Sequence, residues 1–174
     1  MNRREVLTAI GGSVYALDAR AQPSGQVRRI EKQAKMMGLS VLSLKLTAAT
    51  HDFDQVFKDL MSKGADMALF LSSPSFAVQS PHIGELAART PLPTMFIFRG
   101  YVASGGLVSY GAEAPDIYRQ AAAQVAKILR GAKPAELPVE QPKRFELTVN
   151  LKTAKSIGIE IPTSLLLRAD EVIE

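Results

Sequence analysis

Two short runs constrain this chain more than any other feature: the continuous apolar run Met67-Ala68-Leu69-Phe70-Leu71 and the nearly apolar Thr94-Met95-Phe96-Ile97-Phe98. A strand that is apolar at nearly every position has no face to give to water, so it belongs inside a sheet covered on both sides. The segments between such runs repeat their apolar residues at helical spacing. Val27, Ile30, Ala34 and Met37 make one stripe, ended by Gly38, and Phe53, Val56, Phe57, Leu60 and Met61 make another, with Asp52 placed as its cap and Gly64 as its stop. Ser80 and Pro81 suit the start of a helix carrying Ile83, Leu86 and Ala87, and a long helix is predicted over 115–130 with Ile117, Ala121, Val125 and Ile128 on one side. Val41 to Leu46 alternates as a half-exposed edge strand, Leu107 to Tyr110 is a shorter strand, and 133–143 is a proline-rich connector. The tail reads as a strand over 145–149, a helix over 151–157 and a last helix over 164–172. Strands and helices in alternation predict an α/β fold, a parallel sheet between helical layers.

With 174 residues there is room for one sizeable domain. The net charge of +4 invites a nucleic-acid reading, but the cationic residues are dispersed and the one cluster, Arg28, Arg29, Lys32 and Lys35, fits a solvated helix face. No nucleic-acid partner is expected. Cysteine is absent, which removes disulfides, thiolate metal sites and a cysteine nucleophile. His51 and His82 lack the spacing of a metal pair, Asp52 and Asp54 sit where capping explains them, and neither a nucleophile elbow nor a phosphate loop is present. The chain is read as a non-enzyme without metal or cofactor.

Residues 1–21 read as an export signal: Arg3 and Arg4, a mild apolar run from Val6 to Leu17, then Ala19-Arg20-Ala21 before Gln22. The paired arginines point to the twin-arginine route. This division leaves 22–174 as the folded part.

Ligands of open parallel sheets bind beyond the carboxyl ends of the strands. Three loops there carry suitable groups: Ser72, Ser73 and Pro74 offer hydroxyls and backbone N–H groups, Phe98, Arg99 and Tyr101 offer a guanidinium fork and rings, and Ser109, Tyr110 and Gly111 offer a hydroxyl, a ring and a tight turn.

The segments FRGYVASGGLVSYG (98–111), AAAQVAKILRGAKPAELPVEQPKRFELTVNLKTAKSIGIEIPTSLLLRADEVIE (121–174) and MNRREVLTAIGG (1–12) resemble the ABC-transporter substrate-binding proteins of the tryptophan-binding-like class, which have the type I periplasmic binding fold. The likeness runs from about Gln26 to Glu174. It implies one incomplete lobe of a type I periplasmic binding protein that captures a small-molecule solute, an amino acid or other carboxylate among the candidates, and delivers it to an ABC permease. The implied location is periplasmic, with membrane contact only through the permease. It also implies that Ser72, Ser73, Pro74, Phe98, Arg99, Ser109, Tyr110 and Gly111 lie near the interlobe cleft. A shortened relic or interaction module that binds no solute is the alternative. Against the family pattern, the first strand of the lobe is expected to be missing between the strands at 41–46 and 67–71, which would then pair directly. The long helix is expected to show an uncovered apolar stripe.

Overall fold

The computed structural model describes residues 13–18, 25–46, 52–71 and 73–174. Its elements, in chain order, are β1 (Ser13–Asp18), α1 (Gly25–Met36), β2 (Ser40–Lys45), α2 (Phe53–Ser62), β3 (Met67–Phe70), α3 (Pro74–Val78), α4 (Ser80–Arg89), β4 (Thr94–Phe96), α5 (Arg99–Ala103), β5 (Val108–Ala112), α6 (Ala114–Leu129), a 3-10 turn (Pro134–Glu136), β6 (Phe145–Asn150), α7 (Leu151–Ser156), α8 (Thr163–Leu166) and β7 (Glu171–Ile173). The strands form one sheet in the order β2-β1-β3-β4-β5-β6-β7. All neighbours run parallel except β5 and β6. The first five strands thus follow the 2-1-3-4-5 order of a doubly wound sheet, whose switch point lies between β1 and β3.

Two expectations need correction here. The strand expected to be missing is present, and it is supplied by residues assigned to the export signal. Ser13–Asp18 pairs in parallel with Ser40–Lys45 along its whole length and with Met67–Phe70 on its other side. The physical reason is the overlap of two compositions: Val14-Tyr15-Ala16-Leu17 is a short apolar run, which serves equally as the core of a leader or as a central strand. A chain cut after Ala21 would lose β1. The remainder of the signal reading, residues 1–12 and 19–21, lies outside the described residues, as does His51.

The second correction concerns the tail. A single helix over 164–172 was expected, but one helical turn (Thr163–Leu166) is followed by strand β7. Asp170 turns the chain: its N–H donates to the Leu147 carbonyl at 2.9 Å, and its Oδ2 accepts from the Leu147 N–H at 2.7 Å. That register lets Glu171, Val172 and Ile173 pair with Thr148, Val149 and Asn150.

The sheet divides the core in two. On one face Phe70 and Phe96 pack with Phe53, Phe57 and Leu60 of α2, Ile83 and Leu86 of α4, and Tyr101 and Val102 of α5. On the other, Met67, Leu69, Met95 and Val108 pack with Val27 of α1 and with Ala154, Ile161 and Leu165 of the C-terminal segment. β3 is buried at all four positions, as its unbroken apolar run requires. The cluster Arg28, Arg29, Lys32 and Lys35 lies on the exposed face of α1. No residue of α6 is buried, and Ala121, Val125 and Ile128 are exposed, but Ile117 is half-buried and Ile117, Ala121 and Ile128 line a groove shared with the 134–142 connector, so the expected bare stripe is observed only in part.

Candidate functional site

The registers of β3, β4 and β5 decide which loops share an edge. Leu69 pairs with Met95, and Met95 pairs with Val108. Counted onward toward the carboxyl ends, Ser73 falls with Arg99 and Ala112, and Phe98 falls with Gly111 one position earlier, so these loops share the carboxyl edge of the sheet. Ser72 lies outside the described residues. Ser73 caps α3 in extended conformation, and its carbonyl accepts from the N–H groups of Phe76 and Ala77, both at 3.1 Å, while Pro74 takes the first helical position. The loop predicted at 98–101 is instead the start of α5, with Phe98 as its half-buried cap. Gly111 is required by close packing: a Cβ there would run into the carbonyl of Ile97, the residue that leads the chain out of β4.

Arg99 is exposed, and its fork is filled by this chain's own carboxylate. Its Nε donates to Oε2 of Glu171, and its Nη2 donates to Oε1 at 2.6 Å. This two-point geometry is the one expected for a bound carboxylate ligand. The hydrogen bond from Arg99 holds the Glu171 carboxyl below the ordinary carboxylate range, and the same bond raises the guanidinium further above its usual value. Glu146 belongs to the same group of charges: burial pushes its pKa up, Arg99 pulls it down, and the carboxylates of Glu113, Glu171 and Asp170 push it up again.

The remaining candidates lie deeper. The Tyr101 ring is buried and stacked on Phe96 with centroids 4.8 Å apart, and burial pushes its hydroxyl up to about 12. Phe96 stacks in turn on Phe70 at 4.9 Å. Ser109 is level with Phe96 inside the sheet and only 1% exposed, and neither its Oγ nor that of its cross-strand neighbour Thr148 has a hydrogen-bond partner among the described residues. Tyr110 points to the opposite face and stacks on Phe145 at 6.0 Å. The structure therefore brings Ser73, Pro74, Phe98, Arg99 and Gly111 to one edge and withdraws Tyr101 and Ser109 from it. Two open grooves, of about 430 and 420 Å³, lie elsewhere: one between α6 and the 134–142 connector, the other between α2 and α4.

Residues 13–173 match the profile of the ABC transporter substrate binding protein family. The chain belongs to that family. Among solved structures, a conserved domain protein of Vibrio cholerae is similar at 22% identity and a TM-score of 0.86, over 97% of this chain and 58% of that one. An ABC domain of Streptococcus pneumoniae solved with L-Trp is similar at 23% identity and a TM-score of 0.83, over 97% of this chain and 60% of that one. CD0873 of Clostridium difficile, a substrate binding protein with adhesive properties in a ligand-free, open form, is similar at 20% identity and a TM-score of 0.65, over 97% and 58%. The chain thus spans somewhat less than two thirds of these relatives' length. No curated protein matches it.

Within this fold, the N-L-K-T element has a structural task. The Asn150 side chain donates to the Val102 carbonyl at 3.1 Å and accepts from the Thr153 N–H at 3.0 Å, while Thr153 Oγ1 donates to the Gly105 carbonyl at 2.8 Å. These bonds fasten α5 and the turn behind it, and so fix the direction in which Phe98 and Arg99 leave β4. Sequence reasoning passed over Glu171 and Glu146. Glu146 could have been found as the residue opposite Gly111 once β5 and β6 were paired, whereas Glu171 had been placed in a helix.

Proposed function

We propose that the chain is a lobe of an extracytoplasmic solute-binding protein that captures a small molecule at the carboxyl edge of its sheet and delivers it to an ABC permease. The observation that supports this reading is the set Ser73, Pro74, Phe98, Arg99 and Gly111 along the carboxyl edge of a 2-1-3-4-5 sheet, the edge where such folds take ligands. Half-buried Phe98 offers an apolar surface, and exposed Arg99 offers charge. An amino acid or another small carboxylate suits that pair, a class in keeping with the L-Trp held by the pneumococcal relative. A carboxylate can take the Arg99 fork only by displacing Glu171. Export is proposed to depend on Arg3 and Arg4; exchange of both for lysine is expected to keep the chain in the cytoplasm, and unchanged export would count against the twin-arginine route.

One observation favours a second reading, an interaction module that binds no solute: the Arg99 fork is filled by Glu171 and the Tyr101 ring is spent on Phe96. A thermal-stabilisation screen over amino acids and small carboxylates separates the two, because a ligand that binds only the native state raises its apparent stability. A rise in midpoint that saturates with one ligand class, and that shrinks in Phe98→Ala, supports solute capture. A flat response across the panel supports the interaction module.

A further inference from the structure

In the group of charges round Arg99, one carboxylate is left over. Glu171 is held by Arg99, Glu113 by Arg144 at 3.4 Å and Arg119 at 3.8 Å, and the Asp170 carboxylate accepts from the Leu147 N–H at 2.7 Å. Glu146, half-buried at the start of β6 and opposite Gly111, has neither an ion pair nor a hydrogen bond among the described residues. The next pair on the same face of the sheet is Ser109 and Thr148. They are 1% and 0% exposed, and neither hydroxyl has a hydrogen-bond partner among the described residues. A charged acceptor and two buried hydroxyls thus stand side by side unsatisfied, a costly arrangement that native structures seldom keep without a use. Burial is the largest influence on the Glu146 carboxyl and pushes its pKa up against the pull of Arg99, which marks the group as short of positive charge.

Resting on the reading of this edge as a solute site, we propose that Glu146 receives the ammonium group of the solute, with the Ser109 and Thr148 hydroxyls as further acceptors, so that the site takes amino acids in preference to carboxylic acids that lack an amine. An ammonium carries one positive charge and three N–H donors; the site offers one carboxylate and two hydroxyls. The charge balance agrees. A carboxylate can enter the Arg99 fork only by releasing Glu171, which pairs with Thr148 and so shares a face of the sheet with Glu146. A ligand that brings only negative charge therefore leaves two partly buried carboxylates beside it with nothing to neutralise them. A zwitterion brings the compensating cation in the same molecule and sets it against those two carboxylates. Selection then comes from the penalty on the wrong ligand as well as from the bonds made by the right one.

The test is a calorimetric titration of the whole chain with L-Trp, L-Phe and L-Leu, each set against the carboxylic acid that carries hydrogen in place of the amine. At least one amino acid is expected to bind about 10-fold or more tightly than its amine-free counterpart, the worth of one charge-assisted hydrogen bond. Glu146→Gln keeps the shape of a side chain that has no partner among the described residues, so this variant is expected to keep the parent's circular dichroism. It is expected to bring the two affinities within about 2-fold of each other, with the loss falling on the amino acid. Equal affinity of the parent chain for both members of every pair would overturn the ammonium assignment while leaving solute capture in place. Equal weakening of both members in Glu146→Gln would also overturn it, because a merely structural residue cannot change the ratio. Failure of every probe to bind would remove solute capture itself, and the proposal with it.

Discussion

Removal of residues 1–21 is the perturbation whose outcome the sheet decides most sharply. A chain that begins at Gln22 lacks β1, which pairs with β2 at every position from Ser13 to Asp18 and with β3 from Val14 to Leu17. β2 is the edge strand and has no other neighbour among the described residues, so it loses its whole ladder, whereas β3 retains β4. At about 1 kcal/mol net per backbone hydrogen bond, the lost ladders are worth on the order of 5–10 kcal/mol before any side-chain burial is counted. Direct pairing of β2 with β3 would restore less than half of that. The remaining deficit of several kcal/mol is a large part of the roughly 5–15 kcal/mol that holds a domain together. For a chain of this size each kcal/mol lowers the thermal midpoint by about 2–4 °C. Far-ultraviolet circular dichroism melts of chains that begin at Gly12 and at Gln22 provide the assay. The shorter chain is expected to melt at least about 10 °C lower, or without a cooperative transition. Midpoints within about 2 °C of each other would show that Ser13–Asp18 contributes nothing to the sheet and would refute the argument.

Gly111→Ala is expected to cost about 3 kcal/mol in urea unfolding, because the new methyl group meets the backbone carbonyl of Ile97 and not a side chain that could swing away; a cost below about 0.5 kcal/mol would mean that the strand and the loop are not so closely packed. Arg99→Ala is expected to cost only about 0.5 kcal/mol at neutral pH, since the pair with Glu171 is largely open to solvent. The Glu171 carboxyl is held low in the folded chain, so this contribution is present above the ordinary carboxylate range and is lost as the pH falls through the depressed folded value. Melts of the parent and of Arg99→Ala should therefore converge in strong acid, and a difference that persists there would assign the effect to packing.

Much of this fold was legible because single segments carried their own instructions. The unbroken run at Met67–Leu71 requires a covered strand, and the stripe from Phe53 to Met61 requires a buried helix face; both are found, except that Met61 at the end of the stripe is exposed. The edge position of β2 followed from its alternation. β1 escaped because an apolar run after Arg3 and Arg4 and before Ala19-Arg20-Ala21 carries a leader's composition as well as a strand's. Segment 98–101 was read as a loop because a helix of five residues leaves no periodicity to detect. β7 was mistaken for helix because the hydrogen bonds between Asp170 and Leu147 that turn the chain, one from the backbone and one to the Asp170 carboxylate, are tertiary. The candidate site was legible only as a set of loops. The edge shared by Ser73, Phe98 and Gly111 comes from strand register, and the filling of Arg99 by a carboxylate 72 positions away is visible only in the folded chain.

The central claim, that the carboxyl edge of this sheet receives a solute, is tested most directly by a titration of the isotopically labelled chain with L-Trp and other amino acids, followed by amide chemical shifts. The account predicts saturable shifts concentrated at Ser73 to Phe76, Phe98 to Tyr101 and Gly111 to Glu113, with Arg99 side-chain signals moving as Glu171 is displaced. Saturable shifts confined to the groove between α2 and α4, to α6 or to the opposite edge of the sheet would contradict it, as would unchanged spectra at millimolar concentrations of every solute tried.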